Sequence, residues 1–210
     1  MIRGGTGLWP EQLSVRVVNH ISTRYRHREA SVSPIVDLIS TQFTQRPGNY
    51  LAFFSSFDYL KSVVGLFSSR YPEIPLWEQK RGMEEAEQGE FLARFTPTSQ
   101  GVGFAVLGGS FAEGIDLPGK RLSGAFIATL GLPQVNPVNE QIRQCMETIF
   151  HAGYEYAYFF PGMQKIVQAA GRVIRTQRDE GIIYLIDDRF ARLDVRRLLP
   201  YWWKVEQHNK

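Results

Sequence analysis

Asn49-Tyr50-Leu51-Ala52-Phe53-Phe54-Ser55-Ser56-Phe57-Asp58-Tyr59-Leu60 is the stretch that decides the fold class. Tyr50 to Phe54 is a continuous apolar and aromatic run of strand length, the composition of a strand buried on both faces. Small polar residues, Ser55-Ser56, end it, and Tyr59-Leu60-Lys61-Ser62-Val63-Val64 resumes with helical spacing. Strand, polar turn and helix in that order open an α/β unit, in which ligands sit outside the carboxyl ends of the strands.

The rest of the chain repeats the alternation. Short strands are expected at Val15 to Ile21, Ile74 to Trp77, Val102 to Leu107, Ala125 to Leu130 and Ile182 to Ile186. Between them Ser33-Pro34 is expected to open a helix that buries Ile35, Ile39 and Phe43, and Pro47-Gly48 to stop it. Glu84 to Phe95 reads as an acidic helix with Phe91, Leu92 and Phe95 inward. Val138, Ile142, Cys145 and Ile149 share one stripe of a further helix. The tail, with Val195, Leu198, Leu199, Trp202 and Trp203, reads as a closing helix. Strands alternating with helices at this spacing predict a mostly parallel sheet with helices on both faces. Residues 1–14 are glycine-rich and read as an irregular lead-in or linker, leaving 15–210 as one domain.

Bulk properties narrow the function classes. The chain has 210 residues, 43% hydrophobic and 21% charged, enough for one sizeable core. It contains no run of 18 or more apolar residues, so no membrane span is expected. Met1 to Pro10 lack the pattern of a signal peptide, which points to a cytoplasm. The single cysteine, Cys145, excludes an internal disulfide or a cysteine metal site, and the four histidines are scattered. Net charge is only +3, so any nucleic-acid surface must arise from local placement. Arg24-Tyr25-Arg26-His27-Arg28 is one such local concentration, read as a solvated turn in preference to a phosphate contact.

Two further stretches can carry chemistry. Gln168-Ala169-Ala170-Gly171-Arg172-Val173-Ile174-Arg175 continues a helix that begins near Pro161. At about 100° per residue, Gln168, Arg172 and Arg175 fall on one polar face, with Lys165 beside them. Met163, Ile166, Val167, Ala170, Val173 and Ile174 form the apolar stripe opposite. Gly171 costs about 1 kcal/mol in a helix interior, so a close approach is expected there. Upstream, Gly108 to Gly119 follows directly on a predicted strand and places the carboxylates of Glu113 and Asp116 at the edge of the sheet. Gly114 to Lys120 matches the spacing of a phosphate-binding loop but fails as one. Arg121 stands where Mg²⁺ binding needs serine or threonine, and Pro118 removes a backbone donor.

The order of these stretches resembles the second motor domain of superfamily 2 helicases. Phe53-Phe54-Ser55-Ser56-Phe57, then GSFAEGIDLPG at 109–119, then QAAGRVIR at 168–175 look like motifs IV, V and VI of the Rad3/XPD-like branch. Within it the match looks closest to the bacterial DinG and YoaA helicases. ISTRYRHRE and IDDRF also look like this family. The resemblance spans about residues 20 to 195 and implies a RecA-like three-layer α/β sandwich. It implies that Arg172 and Arg175 are arginine fingers toward a γ-phosphate, with Gln168 hydrogen-bonding the phosphate or the attacking water. Glu113, Gly114 and Asp116 would line the nucleotide cleft, and Ser55, Ser56, Phe57 and Ser110 would contact single-stranded DNA.

ATP and Mg²⁺ are the implied cofactors. Their main binding groups belong to an N-terminal motor domain in cis, because this sequence holds neither a phosphate-loop lysine nor a DEAH-type box. The family's four-cysteine iron–sulfur cluster cannot be built from Cys145. The expectation is therefore the C-terminal motor domain of a 5′→3′ DNA helicase, inactive by itself. The alternative is a non-catalytic nucleic-acid- or protein-binding adaptor with the same fold.

Overall fold

The computed structural model describes residues 13–108, 115, 117, 121–173 and 180–208. Its frame is a seven-stranded sheet in the order β3-β4-β2-β5-β6-β1-β7, with every pairing parallel. The strands are β1 (Leu13–Val18), β2 (Asn49–Phe54), β3 (Leu76–Glu78), β4 (Gly101–Val106), β5 (Gly124–Ala128), β6 (Gly181–Ile186) and β7 (Lys204–Gln207). The helices are α1 (Arg28–Gln45), α2 (Phe57–Arg70), α3 (Glu85–Ala93), α4 (Pro137–Phe150), α5 (Phe160–Ala170) and the one-turn α6 (Leu193–Arg196).

The continuous apolar strands are buried on both sides. In β2, Leu51 and Phe53 join one core cluster, while Tyr50, Ala52 and Phe54 join the other. In β6 the split is Ile183 and Leu185 against Ile182, Tyr184 and Ile186. Ile35 and Ile39 of α1 and Leu60, Val63 and Phe67 of α2 cover the second face. Phe91 of α3 and Met163 and Ile166 of α5 cover the first. Topology dictates this division. From β1 through β2 to β3 the chain moves one way across the sheet, and from β3 onward it moves back. Right-handed crossovers then place the two sets of helices on opposite faces.

Three elements differ from expectation here, and α5 differs at the site itself. α1 begins at Arg28, not at Ser33-Pro34, and Pro34 lies inside it. The carbonyl that Pro34 leaves without a donor belongs to Ala30, which is exposed to water. The stripe of α4 is not core: no residue of this helix is buried, and Val138, Ile142 and Ile149 are exposed. Amphipathic spacing gives a helix an apolar face without saying what covers it. The tail holds only one helical turn and then forms β7, which pairs with β1. A strand with one half-buried apolar residue, Val205, carries almost no periodic signal.

Candidate nucleotide and nucleic-acid interface

α5 ends at Ala170, and Gly171, Arg172 and Val173 form a turn beyond it. Arg172 therefore does not share a helical face with Gln168. Gln168 is exposed on the last turn of α5, whereas Arg172 is half-buried past its end. Gly171 has ordinary right-handed dihedrals, and a Cβ there would meet only carbonyls of its own helix, Val167 O at 3.2 Å and Gln168 O at 3.5 Å. Among the described residues no other element approaches the glycine closely, and it stands where the helix stops.

Arg172 instead reaches the loop after β4. Its Nη1 donates to the Ile115 carbonyl at 2.5 Å, across 57 residues of sequence. That loop has to travel from the carboxyl end of β4 back to the amino end of β5, because the two strands are parallel neighbours of β2. On the way, Ile115 and Leu117 bury in the same cluster as Met163, Ile166 and Val173. The apolar side chains fix the loop against α5, and the guanidinium fixes its backbone.

One end of the loop turns on a glycine, and the other is tied down by an arginine. Gly108 has φ +102°, in the left-handed region that favours glycine, and a Cβ there would lie 3.6 Å from Lys165 Nζ. Arg121 at the far end donates from Nε to Phe95 O at 2.7 Å and from Nη2 to Leu92 O at 3.3 Å. It thus supplies donors to carbonyls at the end of α3. Glu113, Gly114, Asp116, Ser110 and Arg175 lie outside the described residues.

The second group of expected residues follows β2. Ser56 caps α2, its Oγ accepting from Tyr59 N at 3.3 Å, and Ser55 Oγ is buried with no hydrogen-bond partner among the described residues. Phe57, the first residue of α2, is half-buried and carries the Arg81 guanidinium 5.1 Å from its ring centroid.

Sequence reasoning gave no role to the cluster at the end of β6. Asp187 is fully buried and accepts from Thr23 N at 2.8 Å, Thr23 Oγ1 at 2.5 Å, Arg189 N at 3.0 Å and Arg189 Nε at 2.5 Å. Burial pushes its carboxyl pKa up, but the Arg189 and Thr23 donors outweigh that and hold it below the usual carboxylate value. Beside it Arg24 pairs with Asp188 at 2.5 Å. The signal was available: an aspartate directly after an all-apolar strand is buried with the strand and must find donors. Among the described residues no three His, Cys, Asp or Glu side chains group as metal ligands.

Arg172, in the turn after α5, thus ties that turn to Ile115 in the loop after β4. The helicase C-terminal domain model matches residues 39–206, most of the chain. The chain belongs to the helicase C-terminal domain family. Its relatives are Rad3/XPD-like helicases. The ATP-dependent DNA helicase chl-1 of Caenorhabditis elegans is 31% identical over 137 residues, which cover 64% of this chain and 15% of the relative. A protein named "Probable ATP-dependent helicase" from Methanocaldococcus jannaschii is 32% identical over 160 residues, 69% of this chain and 24% of its own length. The XPD subunit of the general transcription and DNA repair factor IIH of Dictyostelium discoideum is 26% identical over 167 residues, 74% of this chain and 21% of that one. The chain thus spans a quarter or less of these curated relatives.

A solved XPD helicase superposes with a TM-score of 0.72 at 20% identity, over 93% of this chain and 35% of that one. Domain 2 of the DEAD-box helicase Mss116p gives 0.56 at 13% identity, over 95% and 64%. These likenesses establish the RecA-like α/β fold of this helicase C-terminal domain. Among the described residues, no helix is long and apolar enough to cross a membrane.

Proposed function

We propose that this chain is the second motor half of an ATP-driven DNA helicase of the Rad3/XPD-like branch, working 5′→3′ on single-stranded DNA. The observation that carries the reading is the bond from Arg172 to the Ile115 carbonyl. It joins the turn of QAAGRVIR to the backbone of GSFAEGIDLPG, which brings the two stretches to one place.

In this reading Arg172 and Arg175 extend guanidiniums toward the γ-phosphate of ATP held by an N-terminal motor domain in cis, and Gln168 hydrogen-bonds there. A guanidinium suits the role because its planar fork matches phosphate oxygens and stays charged. An arginine finger is worth about 10³ to 10⁵ in rate. Glu113, Gly114 and Asp116 line the same cleft. ATP's phosphates and Mg²⁺ take their main ligands from the other half. Ser55, Ser56, Phe57 and Ser110 hold the DNA strand, the Ser56 and Ser110 hydroxyls and backbone N–H groups contacting phosphates without reading sequence, while the Ser55 hydroxyl is buried behind them. Closure and release of the cleft then move one half along the strand relative to the other.

The test compares two preparations. Residues 1–210 alone should hydrolyse no ATP with or without single-stranded DNA. In a protein that also carries the other motor half, Arg172→Ala should lower DNA-stimulated turnover by orders of magnitude and leave ATP affinity nearly unchanged. Turnover by residues 1–210 alone, or wild-type turnover in Arg172→Ala, would overturn the assignment.

A further inference from the structure

The basic run with an aromatic inside it, Arg24 to Arg28, has no function in the motor reading. Tyr25 to His27 form a single 3-10 turn with no buried residue, and the Tyr25 ring is 85% exposed. That ring is not loose. The Arg28 guanidinium lies 5.2 Å from its centroid and 5.5 Å from the centroid of Tyr59. Tyr59 is buried, its hydroxyl 2.5 Å from Ser31 Oγ and its ring edge-on to Phe54 at 5.3 Å. An exposed aromatic is therefore backed by a cation that is itself backed by a fixed core ring.

This stack leads directly to the end of β2. Tyr59 N donates to Ser56 Oγ, so Tyr59 stands one turn from the Ser55-Ser56 pair. On the α2 side of the pair, Phe57 carries Arg81. One guanidinium–aromatic stack thus meets the Ser55-Ser56 turn through Tyr59, and another follows it at Phe57. Arg28 Nε, Ser55 Oγ and Ser22 Oγ are all buried without a hydrogen-bond partner among the described residues. Arg26 is exposed, while Arg24 is engaged by Asp188.

We propose that Tyr25 is a stacking platform for an unpaired base of the single strand whose phosphates pass the Ser55-Ser56 turn, with Arg26 and Arg28 supplying positive charge along the way. An open ring face accepts any base, whereas a duplex keeps its bases stacked on each other, so the platform selects single strands. The arginines draw the backbone without sequence preference. The proposal rests on the preceding reading that this chain handles single-stranded DNA, and it adds a contact that none of the helicase motif stretches contains.

The experiment titrates the 210-residue chain against a fluorescein-labelled oligothymidylate at several salt concentrations. Tyr25→Ala should weaken binding roughly tenfold with nearly the same salt dependence, because stacking is lost and no charge is removed. Tyr25→Trp should restore the affinity, and its fluorescence should be quenched by the oligonucleotide. Arg26→Ala should lower the salt slope by about one. Wild-type affinity in Tyr25→Ala, or unquenched tryptophan in Tyr25→Trp at saturation, would overturn the platform while leaving the helicase reading intact. Loss of binding by the wild-type chain itself would remove the DNA contacts of both readings.

Discussion

Arg172 Nη1 and the Ile115 carbonyl oxygen, 2.5 Å apart, join the turn after α5 to the loop after β4. The bond is made from the turn that begins where α5 stops at Ala170. A helix continued through Arg172 and Arg175 would have aimed both side chains along its own polar face. Stopping at Gly171 instead turns Arg172 toward the loop that Ile115 and Leu117 anchor in the core.

Arg172→Ala should therefore destabilise the isolated chain, quite apart from any effect on ATP turnover. A hydrogen bond from a charged donor is worth about 1.5 to 3 kcal/mol, and the half-exposed position of this side chain argues for the lower end. Urea unfolding of residues 1–210 should show a midpoint shift equivalent to about 1.5 kcal/mol. An unchanged midpoint would mean that the loop is held by its apolar residues alone.

Asp187→Asn should be far more damaging. The amide cannot balance the Arg189 charge that the carboxylate meets at Nε and, from Oδ2, at Nη2, and it cannot accept from Thr23 and Arg189 at every site. Breaking one partner of such a pair costs about 3 kcal/mol or more. The pH dependence follows from the lowered carboxyl pKa. Its stabilisation is fully present above the unfolded value of about 3.9 and is lost as pH falls through the folded value. Acid unfolding monitored from pH 6 downward should be shallower in the variant. Equal slopes would show that Asp187 titrates alike in both states.

α4 supplies a contrast within one class of substitution. Ile166→Ala in α5 removes a fully buried side chain and should cost about 2 to 5 kcal/mol. Ile142→Ala in α4, where the side chain is 40% exposed, should stay within about 0.5 kcal/mol of wild type. Thermal unfolding of the two variants decides it. A large loss in Ile142→Ala would mean that α4 packs into the core in solution.

The parallel strands were legible because a strand buried on both faces is a continuous apolar run, and Tyr50 to Phe54 and Ile182 to Ile186 are such runs. The order of the motif stretches was legible for the same reason, since each follows or precedes an expected strand. What was not legible depends on tertiary context. Nothing in Val138, Ile142 and Ile149 says whether a neighbour covers them. Lys204 to Gln207 pairs through its backbone, which leaves no trace in side-chain spacing. The end of α5 was misread because Val173 and Ile174 continue the helical period beyond the point where the helix stops. The Thr23 partner of Asp187 comes from 164 positions away in the chain.

Two glycine substitutions should move stability in opposite directions, for reasons visible in the sheet. Gly124 opens β5 between β2 and β6, and a Cβ there would lie 2.6 Å from Ile182 O and 3.0 Å from Tyr50 Cε1. The first of these atoms is backbone of a paired strand, so it cannot yield without loosening the ladder that Gly124 and Ile182 share. Gly124→Ala should cost about 1 to 3 kcal/mol, as overpacking does elsewhere in cores. Gly89 lies in α3, exposed, and a Cβ there would meet nothing within 4 Å. Gly89→Ala therefore gains helix propensity of up to about 1 kcal/mol at no steric cost. Chemical denaturation of the two variants beside the wild type reads both effects. A stabilised Gly124→Ala would mean that β5 and β6 stand further apart than their parallel register implies.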